Sequence, residues 1–280
     1  MSGMKLKFVK MSGAGNDFIL LDNLDSSLDT LITAELIKKL CIRGLSVGAD
    51  GLLELRSDPE YAFRMKYYNS DGREAEMCGN GGRCIAGFAA SMGMVSGNAV
   101  FRFISDSGVH SAAVTGQDDV RLWMTEPEVH YLDRSLEMES VQLHLSLIDT
   151  GVPHAVVMLD GSETVSFSDI APIIRKHKMF GQQGANVDFV RITGKSELEI
   201  RTWERGVEGE TLACGTGAVA SAICAWKNHE MELPVCIKVK SGRTLKVGMD
   251  NLGWWLQGEA RIVYSGVLEI PLNDNLTAII

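Results

Sequence analysis

The chain has 280 residues, 45% of them hydrophobic, with a formal net charge of −9 and six cysteines. That is enough apolar material for one large domain or two of ordinary size, so a disordered tail is excluded. An acidic chain without a dense Lys/Arg block argues against nucleic acid, and no segment approaches the roughly 18 apolar residues of a membrane span, so a cytoplasmic protein is expected.

In chain order, the first half reads mainly as strands set apart by turn residues: KLKFVK (5–10), DFILLD (17–22), GLLEL (51–55), FRMKYYN (63–69), AVFRFIS (99–105) and VRLWMTE (120–126). Helical spacing appears in LDTLITAELIKKLCIR (28–43). The segment GGRCIAGFAASMG (81–93) is apolar or small on nearly every side. A helix of that kind must be buried all round, and at about three turns it is a core helix. Pro127 then interrupts a strand-like run and marks a boundary.

The second half follows the same plan, with strands at VQLHLSLID (141–149), HAVVML (154–159), NVDFVRI (186–192), ELEIRTWE (197–204), CIKVKSG (236–242), TLKVGMD (244–250) and WWLQGEARIVY (254–264). FSDIAPIIRKHKMFG (167–181) has helical spacing, and GAVASAICAWKN (217–228) is a second helix without a polar face. The halves also match directly. EMCGNGG (76–82) reads against LACGTGA (212–218) at a separation of 214 − 78 = 136, GADGLLEL (48–55) against GANVDFVR (184–191) at 136, and GAGNDFILLD (13–22) against GVPHAVVMLD (151–160) at 138. Three segments in one order at nearly one offset indicate a duplication. The expected fold is α+β: two similar domains related by a pseudo-twofold duplication, each a curved, mostly antiparallel sheet wrapped around a central helix.

Each central helix starts at Cys-Gly-x-Gly, with Cys78 in one copy and Cys214 in the other. A P-loop would need Lys-Ser or Lys-Thr after the glycines, and zinc would need ligand spacings that C-x5-C without a nearby histidine does not supply. The absence of C-x-x-C knuckles or a dense disulfide pattern points to reduced thiols. Cys41, Cys84, Cys224 and Cys236, outside the repeat and among apolar neighbours, read as packed side chains. For Cys78 and Cys214 packing does not explain why both copies keep the motif. A helix start offers amides and positive partial charge, which is expected to lower a thiol's pKa, while the bare glycines let a carboxylate approach the main chain. Two such thiols on opposite sides of one carbon could take a proton from one face and return one to the other, inverting a stereocentre.

Together SGAGNDF (12–18), GADG (48–51), YYNSDGREAEMCGNGGRC (67–84), PHAV (153–156), NVDFV (186–190) and WERGVEGETLACGTGA (203–218) resemble the diaminopimelate epimerase family over essentially the whole chain. The resemblance implies a cofactor-independent, metal-free isomerase interconverting LL- and meso-diaminopimelate in lysine and peptidoglycan precursor biosynthesis. It assigns Cys78 and Cys214 as the paired acid and base, with His154 and Glu204 tuning them. It makes Asn16, Asn69, Gly79, Asn80, Asn186, Glu204, Arg205, Gly215 and Thr216 substrate contacts, with Arg205 on the distal carboxylate and Glu204 on the distal ammonium. IVYSGVLEI (262–270) is similar to the family's closing strand, which gives domains of 1–127 plus 267–280 and 128–266. Tyr264 lies where a homodimer contact is implied. The chain departs from the commonest family pattern at Val152 and Gly51, each removing a polar contact. The alternatives are another two-cysteine racemase of this fold, of the proline racemase type, for which Arg205 and Glu204 have no role, and a non-catalytic amino acid binding module.

Overall fold

The computed structural model describes residues 4–75, 77–138, 141–159 and 166–270. In chain order it contains β1 (Met4–Gly13), β2 (Asn16–Asp22), α1 (Ala34–Cys41), β3 (Gly51–Arg56), β4 (Arg64–Asn69), α2 (Gly79–Ser91), β5 (Phe101–Ser105), β6 (Gly108–Gly116), β7 (Asp119–Trp123), β8 (Glu128–Met138) and β9 (Val141–Asp149). There follow β10 (Pro153–Leu159), α3 (Phe167–Arg175), β11 (Asn186–Gly194), β12 (Glu197–Glu204), β13 (Gly209–Glu210), α4 (Gly215–His229), β14 (Val235–Lys238), β15 (Thr244–Asp250), β16 (Gly253–Glu259) and β17 (Arg261–Ile270). The chain forms two compact units, one up to Leu122 and again from Gly258, the other Trp123–Gln257. The sequence places these divisions at 127 and 266.

The two units have one topology. In the first, the sheet runs β17-β1-β2-β3-β4-β5-β6-β7, and the successive pairs are antiparallel, antiparallel, parallel, antiparallel, parallel, antiparallel and antiparallel. In the second, β8-β9-β10-β11-β12-β14-β15-β16 repeats the same series of senses. The helices fall at equivalent places, α1 and α3 before a parallel return, α2 and α4 before the next. Among the described residues no helix is long and apolar enough to cross a membrane.

The central helices form because the sheets enclose them. In α2 the interior glycines Gly81, Gly82 and Gly87 cost roughly 2–3 kcal/mol of helix propensity relative to alanine. Burying Ile85 and Phe88 returns about as much for each side chain. The glycines also let the helix approach its neighbours: a Cβ on Gly87 would stand 3.3 Å from Ala260 Cβ. In α4 the residues from Gly217 through Ala225 are all buried, so the helix has no solvent face along that stretch.

Some elements differ from the sequence pattern. The helix expected over 28–43 starts only at Ala34, because Thr33 caps it by accepting from the Leu36 amide at 3.2 Å. The run 167–181 ends as an α-helix at Arg175, with a short 3-10 turn at Lys178–Phe180. WWLQGEARIVY divides at Ala260 into β16 and β17, which serve different units. Three strands have no clear sequence signal, one of them the two-residue β13. GVHSAAVTG, now β6, is made largely of small residues, and β8 follows Pro127 with register shifts that break its alternation.

The returning β17 belongs to the first core. Ile270, 1% exposed, packs in one cluster with Leu6, Phe8, Ile19, Leu36 and Leu52. Ile270→Ala is expected to cost about 2–4 kcal/mol in urea unfolding, whereas Val267→Ala on the same strand, 54% exposed, should stay within about 0.5 kcal/mol. Equal small effects at the two positions would show that the strand is not docked.

Candidate active site

In the second unit, Cys214 is the N-cap of α4, with extended φ −124° and ψ 113° and no side-chain capping bond. Helical bonding begins when the Ala218 amide donates to Cys214 O at 3.0 Å. Cys214 is 7% exposed, and its sulfur lies 3.3 Å from the Thr216 hydroxyl. That hydroxyl is 3.0 Å from His154 Nε2, while His154 Nδ1 faces Asp188 Oδ2 at 2.6 Å. The other oxygen of Asp188 accepts from the Thr202 hydroxyl at 2.6 Å. Asp188 and His154 are both fully enclosed, 0% exposed.

Strand register assembles this cluster. The parallel pairing of β10 and β11 sets His154 beside Asn186, whose Nδ2 is 3.3 Å from Nε2 and whose Oδ1 accepts the Arg205 backbone N–H at 2.7 Å. Asp188 lies opposite Thr202 across β11 and β12. Gly217 explains how α4 comes so near, since a Cβ there would stand 2.4 Å from Asp188 Oδ1. The Thr150 hydroxyl donates to Thr216 O at 3.2 Å and ties the helix start to the end of β9.

Burial pushes the Glu204 carboxyl up from its ordinary value, against a 2.5 Å hydrogen bond from the Thr211 hydroxyl. The Cys214 thiol is raised well above its ordinary range, first by burial and then by the Glu204 and Asp188 carboxylates. The Thr216 hydroxyl and Gly217 amide pull the other way. This reverses the lowered pKa expected from the helix start. A helix dipole contributes about 0.3–1 kcal/mol, less than one pKa unit, whereas full burial can move a group by several units.

In the first unit, Cys78 is the N-cap of α2, with φ −106° and ψ 127°, and the Gly82 amide donates to Cys78 O at 2.7 Å. Asn80 is buried and its Nδ2 donates to Asn16 Oδ1, while Asn16 Nδ2 donates to Asp50 Oδ2 at 3.1 Å. Ion pairs hold the turn that carries Asn16: Lys10 Nζ meets Asp17 Oδ2 at 2.9 Å, and Arg43 bridges Asp17 and Asp50. Burial would raise the Asp17 carboxyl, but the bonds from Arg43 and Lys10 prevail and hold it below its ordinary value. Arg83 is fully buried and donates to Asn80 Oδ1 at 2.9 Å and to the carbonyls of Gly13, Gly79 and Glu259 at 3.3–3.4 Å. Five residues after its own cysteine, α4 carries Val219 at the corresponding place.

The sequence-derived candidates thus form two clusters. Cys214, Gly215, Thr216, His154, Asn186, Glu204 and Arg205 gather in the second unit; Cys78, Gly79, Asn80 and Asn16 gather in the first. Asn69 is exposed at the end of β4. His154 sits inside β10, and Glu204 and Arg205 are half-buried. Gly51 leaves no room for the polar side chain of the commoner pattern, since a Cβ would meet Tyr68 O at 2.5 Å. Cys41, Cys84 and Cys224 are buried, and Cys236 is half-buried.

Sequence reasoning missed Asp188, Thr202 and Arg83. The available signal was a charged residue within an apolar element, Asp188 in NVDFV and Arg83 in GGRCIAGFAA.

A family model described as diaminopimelate epimerase matches residues 8–130 and 146–263. The chain is 40% identical over 265 residues to a protein from Chlorobaculum tepidum named diaminopimelate epimerase, covering 93% of this chain and 100% of that one. It is 37% identical over 275 residues to one of the same name from Aquifex aeolicus, covering 94% and 98%. Among solved structures, a Bacillus anthracis phenazine biosynthesis protein of the PhzF family superposes with a TM-score of 0.71 at 13% identity, covering 95% of this chain and 100% of that one. A hydroxyproline epimerase from Agrobacterium vitis, solved with trans-4-hydroxy-L-proline, gives 0.67 at 14%, covering 97% and 94%. At such identities these structures speak for the α+β fold alone. The family match and the close relatives both span nearly the full length, and on that ground the chain belongs to the diaminopimelate epimerase family.

Proposed function

We propose that the chain is an isomerase that interconverts LL- and meso-diaminopimelate by passing a proton between the α-carbon and two cysteines, without a cofactor. The observation that carries this reading is the recurrence of one Cys-Gly-x-Gly helix start at the same place in two sheets of identical topology, in a member of this family. Two thiols at equivalent places in the fold suit a reaction whose two directions are mirror images at carbon.

Cys214 enters the cycle as the thiol, because burial and the Glu204 and Asp188 carboxylates oppose its ionisation. It returns a proton to the carbanion, and Cys78 removes the α-proton from the other face; the reverse direction exchanges these roles. The main-chain amides around Gly79, Asn80, Gly215 and Thr216 hold the reacting carboxylate and stabilise charge that spreads onto it as the proton leaves.

The rest of the substrate is a second amino acid group, which needs one cation and one anion. Arg205 takes the distal carboxylate and Glu204 the distal ammonium; Asn186, Asn69 and Asn16 supply further substrate contacts. A proline-type substrate would leave Arg205 and Glu204 unused. We read the protein as cytoplasmic and as homodimeric; the exposed apolar side chains Ile262, Val263, Tyr264 and Val267 on β17 support the second of these.

Incubating reduced protein with LL-diaminopimelate and separating the isomers by chromatography tests the reading. Conversion to the meso form is expected, falling by roughly 10²–10⁴-fold or more in Cys78→Ala and in Cys214→Ala, since each removes an acid–base group. Full activity in either variant would end the two-cysteine scheme.

Glu204 supplies a pH signature. Its carboxyl is raised in the folded protein, and a bound ammonium favours the ionised form, so binding releases a proton at pH values below the raised pKa. Affinity should therefore increase as pH rises through that range and level off above it. In Glu204→Gln this component should vanish from calorimetric titrations run in buffers of different ionisation enthalpy.

A further inference from the structure

We propose that Asp188 and Asn186 lock His154 as the Nδ1–H tautomer, so that the Thr216 hydroxyl is a rotor that follows the charge of Cys214. Two independent contacts fix the tautomer. The Asp188 carboxylate, 2.6 Å from Nδ1, can only accept, so Nδ1 carries the hydrogen. Asn186 has its amide oriented by the Arg205 backbone N–H, which donates to Oδ1; its Nδ2 therefore points at Nε2 as a donor, 3.3 Å away. Nε2 is left as an acceptor on both counts.

Thr216 then has two settings. With Cys214 as a thiol, the hydroxyl donates to Nε2 at 3.0 Å and its oxygen accepts the S–H at 3.3 Å. With Cys214 as a thiolate, the hydroxyl turns and donates to sulfur, while Asn186 Nδ2–H continues to satisfy Nε2. No proton is gained or lost along this line; the only proton that leaves is the one sulfur hands to the substrate carbon. Each charge state of Cys214 is met by a rotation about one bond, in a largely buried site. Asp188 is a positioning residue here, held by Thr202 on its far oxygen.

The charged and titratable groups facing Cys214 are Glu204 on β12, Asp188 on β11 and His154 on β10, with the Thr216 hydroxyl and Gly217 amide on α4. Asp188→Asn changes the line predictably. Thr202 keeps the amide oxygen at the Oδ1 place, so the new NH2 faces Nδ1 at the shorter contact and moves the ring hydrogen to Nε2, at the expense of the longer 3.3 Å contact from Asn186 Nδ2. Nε2–H then donates to the Thr216 oxygen, which leaves the hydroxyl hydrogen pointing at sulfur. The thiol loses its acceptor and the thiolate keeps a donor.

The assay is iodoacetamide labelling of the Cys214 peptide against pH, followed by mass spectrometry. In Asp188→Asn the Cys214 midpoint should fall by about one unit or more, giving roughly tenfold faster labelling at a fixed pH below it. In a Thr216→Val background, Asp188→Asn should move the midpoint by less, through the loss of the Asp188 charge alone, and an equal shift in both backgrounds would overturn the rotor. A lowered thermal midpoint with an unchanged labelling profile would make Asp188 a merely structural residue and overturn the proposal. Should Asp188→Asn not fold, the pair Thr216→Ser and Thr216→Val decides: serine should reproduce the wild-type profile and valine should shift it, and identical profiles would overturn the rotor. The catalytic meaning rests on the epimerase reading, but the labelling does not, so the two fail separately.

Discussion

A helix with no polar face must be enclosed, and that single requirement organises each unit. The small residues of α2 and α4 make poor isolated helices, yet they let a sheet close around them from every side. Enclosure fixes where each helix starts, and the start is where the cysteine stands. A chemical group placed at the end of a buried, close-packed rod has little freedom, since any shift would be transmitted to the surrounding strands.

The two helix starts share geometry but differ in charge. Around Cys214 the neighbours are Glu204, Asp188 and a histidine held by carboxylate and amide, so the thiol is the favoured form. Beside Cys78 the first turn of the helix instead leads to Arg83, a buried guanidinium satisfied by carbonyl and amide oxygens, where α4 has Val219. Duplication supplies two equivalent cysteine positions, and divergence around them gives each a different electrostatic setting. A proton transfer that begins with one thiol and one thiolate needs both conditions.

Much of this was legible from the sequence because the strongest signals are repeated. The cysteine motifs, their offset and the all-apolar helices are local patterns, and they led to the two-fold repeat and to Cys78 and Cys214. What escaped notice depends on pairing. Strand β6 exists because β5 and β7 flank it, not because GVHSAAVTG prefers to be extended. Asp188 and Thr202 become partners only through the register of β11 with β12, across 14 residues of chain. The thiol pKa failed for a related reason: a helix start can be read from a motif, but the depth of its burial cannot, and burial is the larger effect.

The central claim is that two separate groups handle the proton, and the fate of the α-hydrogen tests it directly. Proton NMR of LL-diaminopimelate with reduced protein in D2O, with no metal or cofactor added, follows that hydrogen during early turnover. Deuterium at the new α-centre of the meso product, while the unreacted LL pool keeps its protium, is the predicted result. Meso product that retains the original protium would mean that one group removes and returns it, and would contradict the account.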